Sequence, residues 1–232
     1  MQKELLHMIN YKSFEGTITS GGFRGNPYQI NEYLIPNIEI EGLQFHPIHL
    51  REEDPFLSSE SRIGKEKKET LGLIAGKIGW KLFNKTCLFI DLNHSMIIIS
   101  DSMETFKKYG PSFRNFAKAP LIKEHDAIEI ETITPKGILR CILDTGCTFD
   151  IINSANQKNK PLEEMILKKK KFSSFQIGNQ NFGPLALRKL PLKLPFHIDV
   201  ILGMEFLSKH AVLIDFVNSK IYFNKATYAP LY

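Results

Sequence analysis

The sequence predicts an all-β chain made of two related lobes, with few and short helices. Three observations carry this expectation. Strand-like runs rich in Ile, Leu, Phe and Val outnumber helix-like ones, and Gly, Pro and Asn punctuate them. The chain repeats itself once at long range, in two blocks that keep their order. Its 232 residues, 43% hydrophobic and 24% charged, have ordinary globular composition, which excludes disordered and fibrous classes and allows one or two domains.

Strand-like segments fall at 33–41, 43–50, 88–100, 127–134, 137–143, 171–178, 211–216 and 220–223. Helices are expected at 2–8, 102–109 and 161–169, the last opening with Pro161 and the acidic pair Glu163 and Glu164, as a helix start prefers. Residues 51–70 are strongly charged and read as a surface insertion. Between Ser100 and Asp126, Gly110, Pro111 and Pro120 suggest a connection between lobes. The expected organisation is an N-terminal lobe over 1–100, a linker over 101–125 and a C-terminal lobe over 126–232.

The repeat is specific. With Gly79 placed over Gly203, residues 78–99 run without a gap against 202–223, and Lys85/Lys209, Ile90/Ile214, Asp91/Asp215, Ser95/Ser219 and Ile97/Ile221 coincide. In a second block, 38–50 over 175–187, Ile40/Ile177, Phe45/Phe182, Pro47/Pro184 and Leu50/Leu187 coincide. The offset changes between the blocks, and the charged insertion, which the second copy lacks, absorbs the change.

Only the second copy carries an evident catalytic candidate. An apolar strand over 137–143 delivers Asp144 into the turn Asp144-Thr145-Gly146, and apolar residues resume at Phe149, Ile151 and Ile152. A bare Asp-Thr-Gly is a common surface turn. Here the flanks place the carboxylate at the end of a buried strand. Ile201-Leu202-Gly203 follows, then a short helical stretch and the strands at 212–216 and 220–223.

On these residues the chain resembles the retropepsin-like and pepsin-like aspartic peptidases, whose markers are an apolar-apolar-Asp-Thr-Gly turn, a later apolar-apolar-Gly strand, a short helix and a closing strand pair. The resemblance implies an acid-protease fold of two pseudo-twofold-related lobes whose Asp-Thr-Gly turns face each other. It also implies an endopeptidase without metal or organic cofactor, acting on extended polypeptide. Asp144 would be catalytic, Thr145 would bond across to the partner turn, and Gly146 would allow close backbone approach. Cys147 stands where a smaller residue is usual.

The first copy has no Asp-Thr-Gly. One offset sets Ser20-Gly21-Gly22 opposite the catalytic turn; the other, which should govern near the N-terminus, sends Asp144 to His7. Residues 16–25, followed by 28–34, resemble instead the Gly-rich flap hairpin that follows the first catalytic turn, with Gly21, Gly22 and Gly25 over the substrate and Tyr28 or Tyr33 as its aromatic. The missing turn is then expected upstream of Met1. Otherwise two copies of Asp144 meet in a homodimer, or the chain is an inactive peptide-binding or dimerising module on the same fold.

Remaining features read as structural. The lysine runs at 65–68 and 168–171 lack aromatic interleaving and are expected to be solvated surface, so the net charge of +5 does not specify a nucleic-acid partner. Residues 72–77 have too few residues between glycines for a phosphate loop. His46 and His49 lie three apart on a strand and face opposite ways, so no metal is expected there. Asp91 and Asp215 are expected to be structural, and Asp199 and Glu205 to be surface or helix-capping groups. Three cysteines, Cys87, Cys141 and Cys147, offer no disulfide framework and mildly favour a reducing compartment. No run approaches the roughly 18 apolar residues of a membrane span. The N-terminus lacks a signal-peptide pattern, so the compartment is left open.

Overall fold

The fold is mostly β with few short helices, as the sequence predicts; the computed structural model describes residues 13–20, 28–45, 48–51, 78–125, 127–154, 168–192 and 196–225. The expected helices at 2–8 and, up to residue 167, at 161–169 lie outside the described residues, as do most of the charged insertion and the glycine pattern at 72–77. Among the described residues no helix is long and apolar enough to cross a membrane.

The chain divides into two compact units, 1–82 and 83–232. The N-terminal unit contains β1 (Ser13–Ser20), β2 (Tyr28–Ile35), β3 (Ile38–Ile40), β4 (Leu43–Phe45) and β5 (Ile48–Arg51). β1 and β2 form an antiparallel hairpin, β5 pairs with β2, and β3 with β4. A 3-10 turn at Trp80–Phe83 runs across the boundary at residue 82.

The C-terminal unit begins with β6 (Cys87–Asp91), β7 (Met96–Ser100), helix α1 (Met103–Tyr109) and β8 (Ala117–Pro120). There follow β9 (Ile128–Thr134), β10 (Gly137–Leu143), β11 (Ile151–Asn153), β12 (Lys169–Phe172), β13 (Gln176–Ile177), β14 (Gln180–Asn181), β15 (Leu185–Leu190) and β16 (Val200–Leu202). Helix α2 (Met204–Leu207), β17 (His210–Asp215) and β18 (Lys220–Lys225) complete it. The described strands make an eight-stranded sheet, β12-β15-β11-β16-β10-β9-β13-β14, and a five-stranded one, β7-β6-β17-β18-β8.

Within the C-terminal unit β6 pairs with β17, and residues 101–125 lie in the same unit. Ser102 caps α1 by accepting the Thr105 N–H at 3.1 Å, and Met103 and Phe106 pack into a core with Cys87, Phe89, Phe116, Ala211 and Leu213. Burying side chains of this size stabilises by about 1.5–3 kcal/mol each.

Register makes the repeat a structural fact. In the N-terminal unit Glu32 pairs with Arg51 and Ile35 with Ile48; in the C-terminal unit their counterparts Lys169 with Arg188 and Phe172 with Leu185 do the same. Ile40 opposite Leu43 is matched by Ile177 opposite Gln180. The 3-10 turn Trp80–Phe83 is the counterpart of α2, residue for residue.

In the five-stranded sheet Ile90 pairs with Val212, Phe89 with Leu213 and Leu88 with Ile214. Exchanging the two copies maps this ladder onto itself, so a local twofold axis passes between Phe89 and Leu213. Each hairpin then turns back in the same way. Asp91 accepts the His94 N–H at 3.2 Å and Asp215 the Asn218 N–H at 2.9 Å. Ser95 and Ser219 follow in the left-handed region at φ 51° and 52°. Both aspartates are buried and structural, as expected.

Candidate active site

β10 and β11 are consecutive in sequence yet do not pair, because β16 lies between them, parallel to β10 and antiparallel to β11. Residues 144–150 must therefore cross over the end of β16. Leu143 sits opposite Leu202, and the Asp144 N–H donates to the Leu202 carbonyl at 3.0 Å. Close approach at the crossing explains Gly203: a Cβ there would meet the carbonyl oxygens of Cys147 and Phe149, the latter at 2.5 Å.

Asp144 is half-buried at the strand end, while Thr145 and Gly146 are exposed. The Asp144 Oδ1 accepts the Gly146 N–H at 2.8 Å, and a Cβ on Gly146 would lie 3.1 Å from that oxygen. The turn thus tethers its own carboxylate and keeps its outer edge free of bulk. The Cys147 N–H closes it onto the Asp144 carbonyl at 3.2 Å. Burial pushes the Cys147 thiol up, and its Sγ donates to the Phe149 carbonyl at 3.1 Å, so it is not poised as a nucleophile.

Beneath the turn lies a group to which the sequence reading assigns no role. Asp150 is buried, and its Oδ1 accepts the Gly203 N–H at 2.8 Å and the Phe206 N–H at 3.2 Å. Burial is the main reason its carboxyl is pushed up to about 6; those two hydrogen bonds act in the opposite sense and the nearby Glu205 in the same one. An acid between Phe149 and the apolar pair Ile151-Ile152 is the signal that could have found it.

Glu205 accepts the Asp150 N–H at 3.3 Å and pairs with Arg188 at 3.0 Å, whose guanidinium lies 3.9 Å over the Phe149 ring. Burial opposes ionisation of Glu205, but the Arg188 bond and charge and the Asp150 N–H together hold its carboxyl below the usual range. Asp199 accepts the Arg140 N–H at 2.9 Å. Both acids therefore anchor the turn and the strand feeding it, a more specific role than the surface or capping one expected.

The flap glycines Gly21, Gly22 and Gly25 lie outside the described residues. On either side of them β1 and β2 pair, with Ser20 opposite Tyr28, and Tyr33 lies between Phe14 of β1 and Leu50 of β5. One group of potential metal ligands occurs among the described residues: Glu124, His125 and Glu129, whose ligand atoms lie within 4.8 Å of one another. Arg140 already bonds both glutamates, through Nε to Glu129 at 2.5 Å and through Nη2 to Glu124, so the cluster reads as an ion-pair network.

No protein-family model matches the sequence, and no curated protein does. Among solved structures the chain is similar to a retropepsin-like aspartic protease from Rickettsia conorii, with 16% identity and a TM-score of 0.33, over 49% of this chain and 93% of that one. A likeness at that score carries no weight beside the topology and register described above.

Proposed function

We propose that the chain is an aspartic-type endopeptidase in which Asp144 supplies one of two carboxylates that activate a water against a peptide bond. The observation that carries this reading is the crossover itself. It holds an Asp-Thr-Gly turn at the tip of β10, with Asp144 half-buried and its two neighbours exposed.

Two carboxylates brought close cannot both ionise cheaply, so they share a proton. The ionised member takes a proton from water, and the protonated member donates to the scissile carbonyl and stabilises the oxyanion. Neither step calls for a metal or an organic cofactor. Thr145, exposed at the turn, is suited to bond the facing turn. Gly21, Gly22 and Gly25 are assigned to a flap over an extended polypeptide substrate.

The facing turn belongs, in this reading, to the lobe of the first copy. The twofold seam that relates the copies is already filled within the chain, by β6 on β17. A homodimer built on the same seam would have to displace β6. The sequence itself contains a single Asp-Thr-Gly, which favours as second reading a peptide-binding module without catalysis.

The two are separated by assaying, in a form that presents a second Asp-Thr-Gly turn, cleavage of an unfolded protein from pH 3 to 8 with and without a peptide analogue carrying a tetrahedral hydroxyl group in place of the scissile bond. The peptidase reading expects a bell-shaped profile with an acid optimum, abolished by the analogue and indifferent to chelators. Binding of the analogue with no cleavage at any pH would leave the binding module.

A further inference from the structure

The peptide group that joins Leu202 to Gly203 is held on both sides by aspartates. Its carbonyl accepts the Asp144 N–H at 3.0 Å, and its N–H donates to the Asp150 Oδ1 at 2.8 Å. One planar unit, stiff by resonance, therefore stands between the backbone of the catalytic candidate and a carboxyl that the proposed chemistry does not use. The Asp144 Oδ1 is in turn tied to the Gly146 N–H.

The threading of β16 produces this arrangement. Residues 144–150 leave β10 and enter β11 on either side of β16, so the loop begins and finishes against the same peptide group. Asp150 is fastened there from three directions. Its N–H donates to Glu205 Oε2 at 3.3 Å, its carbonyl accepts the Arg188 N–H at 2.9 Å, and its Oδ1 also takes the Phe206 N–H at 3.2 Å. Only 2% of Asp150 is exposed, so its charge acts through a weakly screening interior.

We propose that Asp150 is a positioning residue for Asp144, acting through the Leu202–Gly203 peptide group, whose polarisation passes a change of charge at one aspartate to the backbone of the other. When the Asp150 carboxyl releases its proton, the full charge pulls on the Gly203 N–H. The amide polarises, and the Leu202 carbonyl becomes a stronger acceptor for the Asp144 N–H. Proton release tightens the hold on the start of the turn. Around Asp150 stand Glu205 on α2 and Lys209 beyond it, Arg188 on β15 and Lys169 on β12, both paired with Glu205, and the Cys147 thiol within the loop. Burial first, and then Glu205, push the Asp150 carboxyl up to about 6 against its two N–H bonds and Lys209, so the charge changes in mildly acid solution. That Asp144 is catalytic rests on the peptidase reading; the relay does not, and it is visible without any cleavage.

The test is an amide NMR titration of the full chain from pH 4.5 to 7.5. The Gly203 and Phe206 amide protons report Asp150 directly, and the Asp144 amide proton reports the relay. All three are expected to shift downfield with rising pH through one common midpoint at about 6. Asp150→Asn keeps an acceptor but has no proton to release, and is expected to flatten all three. A merely structural Asp150 would move Gly203 and Phe206 and leave Asp144 still, which overturns the proposal, as does an Asp144 shift that persists in the Asn variant. Should that variant not fold, Glu205→Gln serves instead. Removing the charge that raises Asp150 is expected to lower the midpoint, and the Asp144 amide must follow Gly203 to the lower value; separate midpoints overturn the relay. Because no cleavage is measured, a failed relay leaves the peptidase reading standing, and absence of cleavage by a form with two turns leaves the relay standing.

Discussion

The hairpins Cys87–Ser100 and His210–Lys225 are the same object in two settings. Each starts after a glycine and one turn of helix, and each buries an aspartate that holds the N–H three residues on. Each then sends a serine into the left-handed region. They meet about an axis between Phe89 and Leu213, where both residues are fully buried. Away from the axis they part company: Ile214, Ile221 and Phe223 are buried, whereas Ile97 is open and Ile90 and Ile99 are half-buried. The local chemistry of a hairpin travels with its sequence, while burial depends on what is packed against it. The contrast therefore separates what each copy encodes from what its neighbours supply.

The sharpest way to break this comparison is at the paired glycines. Gly203→Ala drives a methyl group into backbone carbonyls that cannot move aside and is expected to cost about 3 kcal/mol or more, enough to unfold much of the protein. Gly79→Ala meets open space and is expected to change stability by less than about 0.5 kcal/mol. Urea denaturation of both variants checks the pair. Equal costs would mean that the two positions share one environment.

Asp150 gives the next largest effect, and only in the second copy, since Ser13 stands opposite it in the repeat. Its folded carboxyl titrates near 6 against 3.8 unfolded, so the folded state holds the proton more firmly. That contribution is fully present below about pH 4 and is lost as pH rises through 6. It amounts to about 3 kcal/mol, since each tenfold change in proton affinity corresponds to about 1.4 kcal/mol. Asp150→Asn keeps an acceptor for Gly203 and Phe206 and is expected to flatten this part of the pH dependence. Denaturation midpoints at pH 4.5 and 7.5 measure it, and an unaltered difference would remove Asp150 from the explanation.

The smallest effects should be equal. Ser95→Gly and Ser219→Gly relieve the same left-handed backbone, and each is expected to stabilise by about 0.5–1 kcal/mol. Thermal melts that moved for one and not the other would show that the turns differ in ways their dihedrals conceal.

Much of this fold is legible in the sequence because its strands are bounded by strong turn residues. β10 ends where Asp144 begins, and β9 and β17 lie within a residue of their expected starts. The run 88–100 reads as one strand because Asn93, His94 and Ser95 are embedded in apolar sequence; the buried Asp91 makes it a hairpin. β8 is invisible to pattern reading since Ala-Lys-Ala-Pro has no β-branched or aromatic residue, and only pairing to β18 makes it a strand. Lys169, Lys170 and Lys171 read as the end of a helix and the start of a later strand. They instead open β12 at the sheet edge, where lysines discourage further pairing. At the site, Asp144, Thr145 and Gly146 stand out by their apolar flanks. Asp150 and Glu205 do not, because their roles arise from β16 threading between β10 and β11, a non-local contact.

The most direct measurement compares Asp144 with Asp144→Asn in a form that presents a second Asp-Thr-Gly turn, following cleavage of an unfolded protein at acid pH. Loss of the carboxylate is expected to lower the rate by about a thousandfold or more, with the fold unchanged. Cleavage that persists in the Asn variant would show that Asp144 is not the group that activates the water.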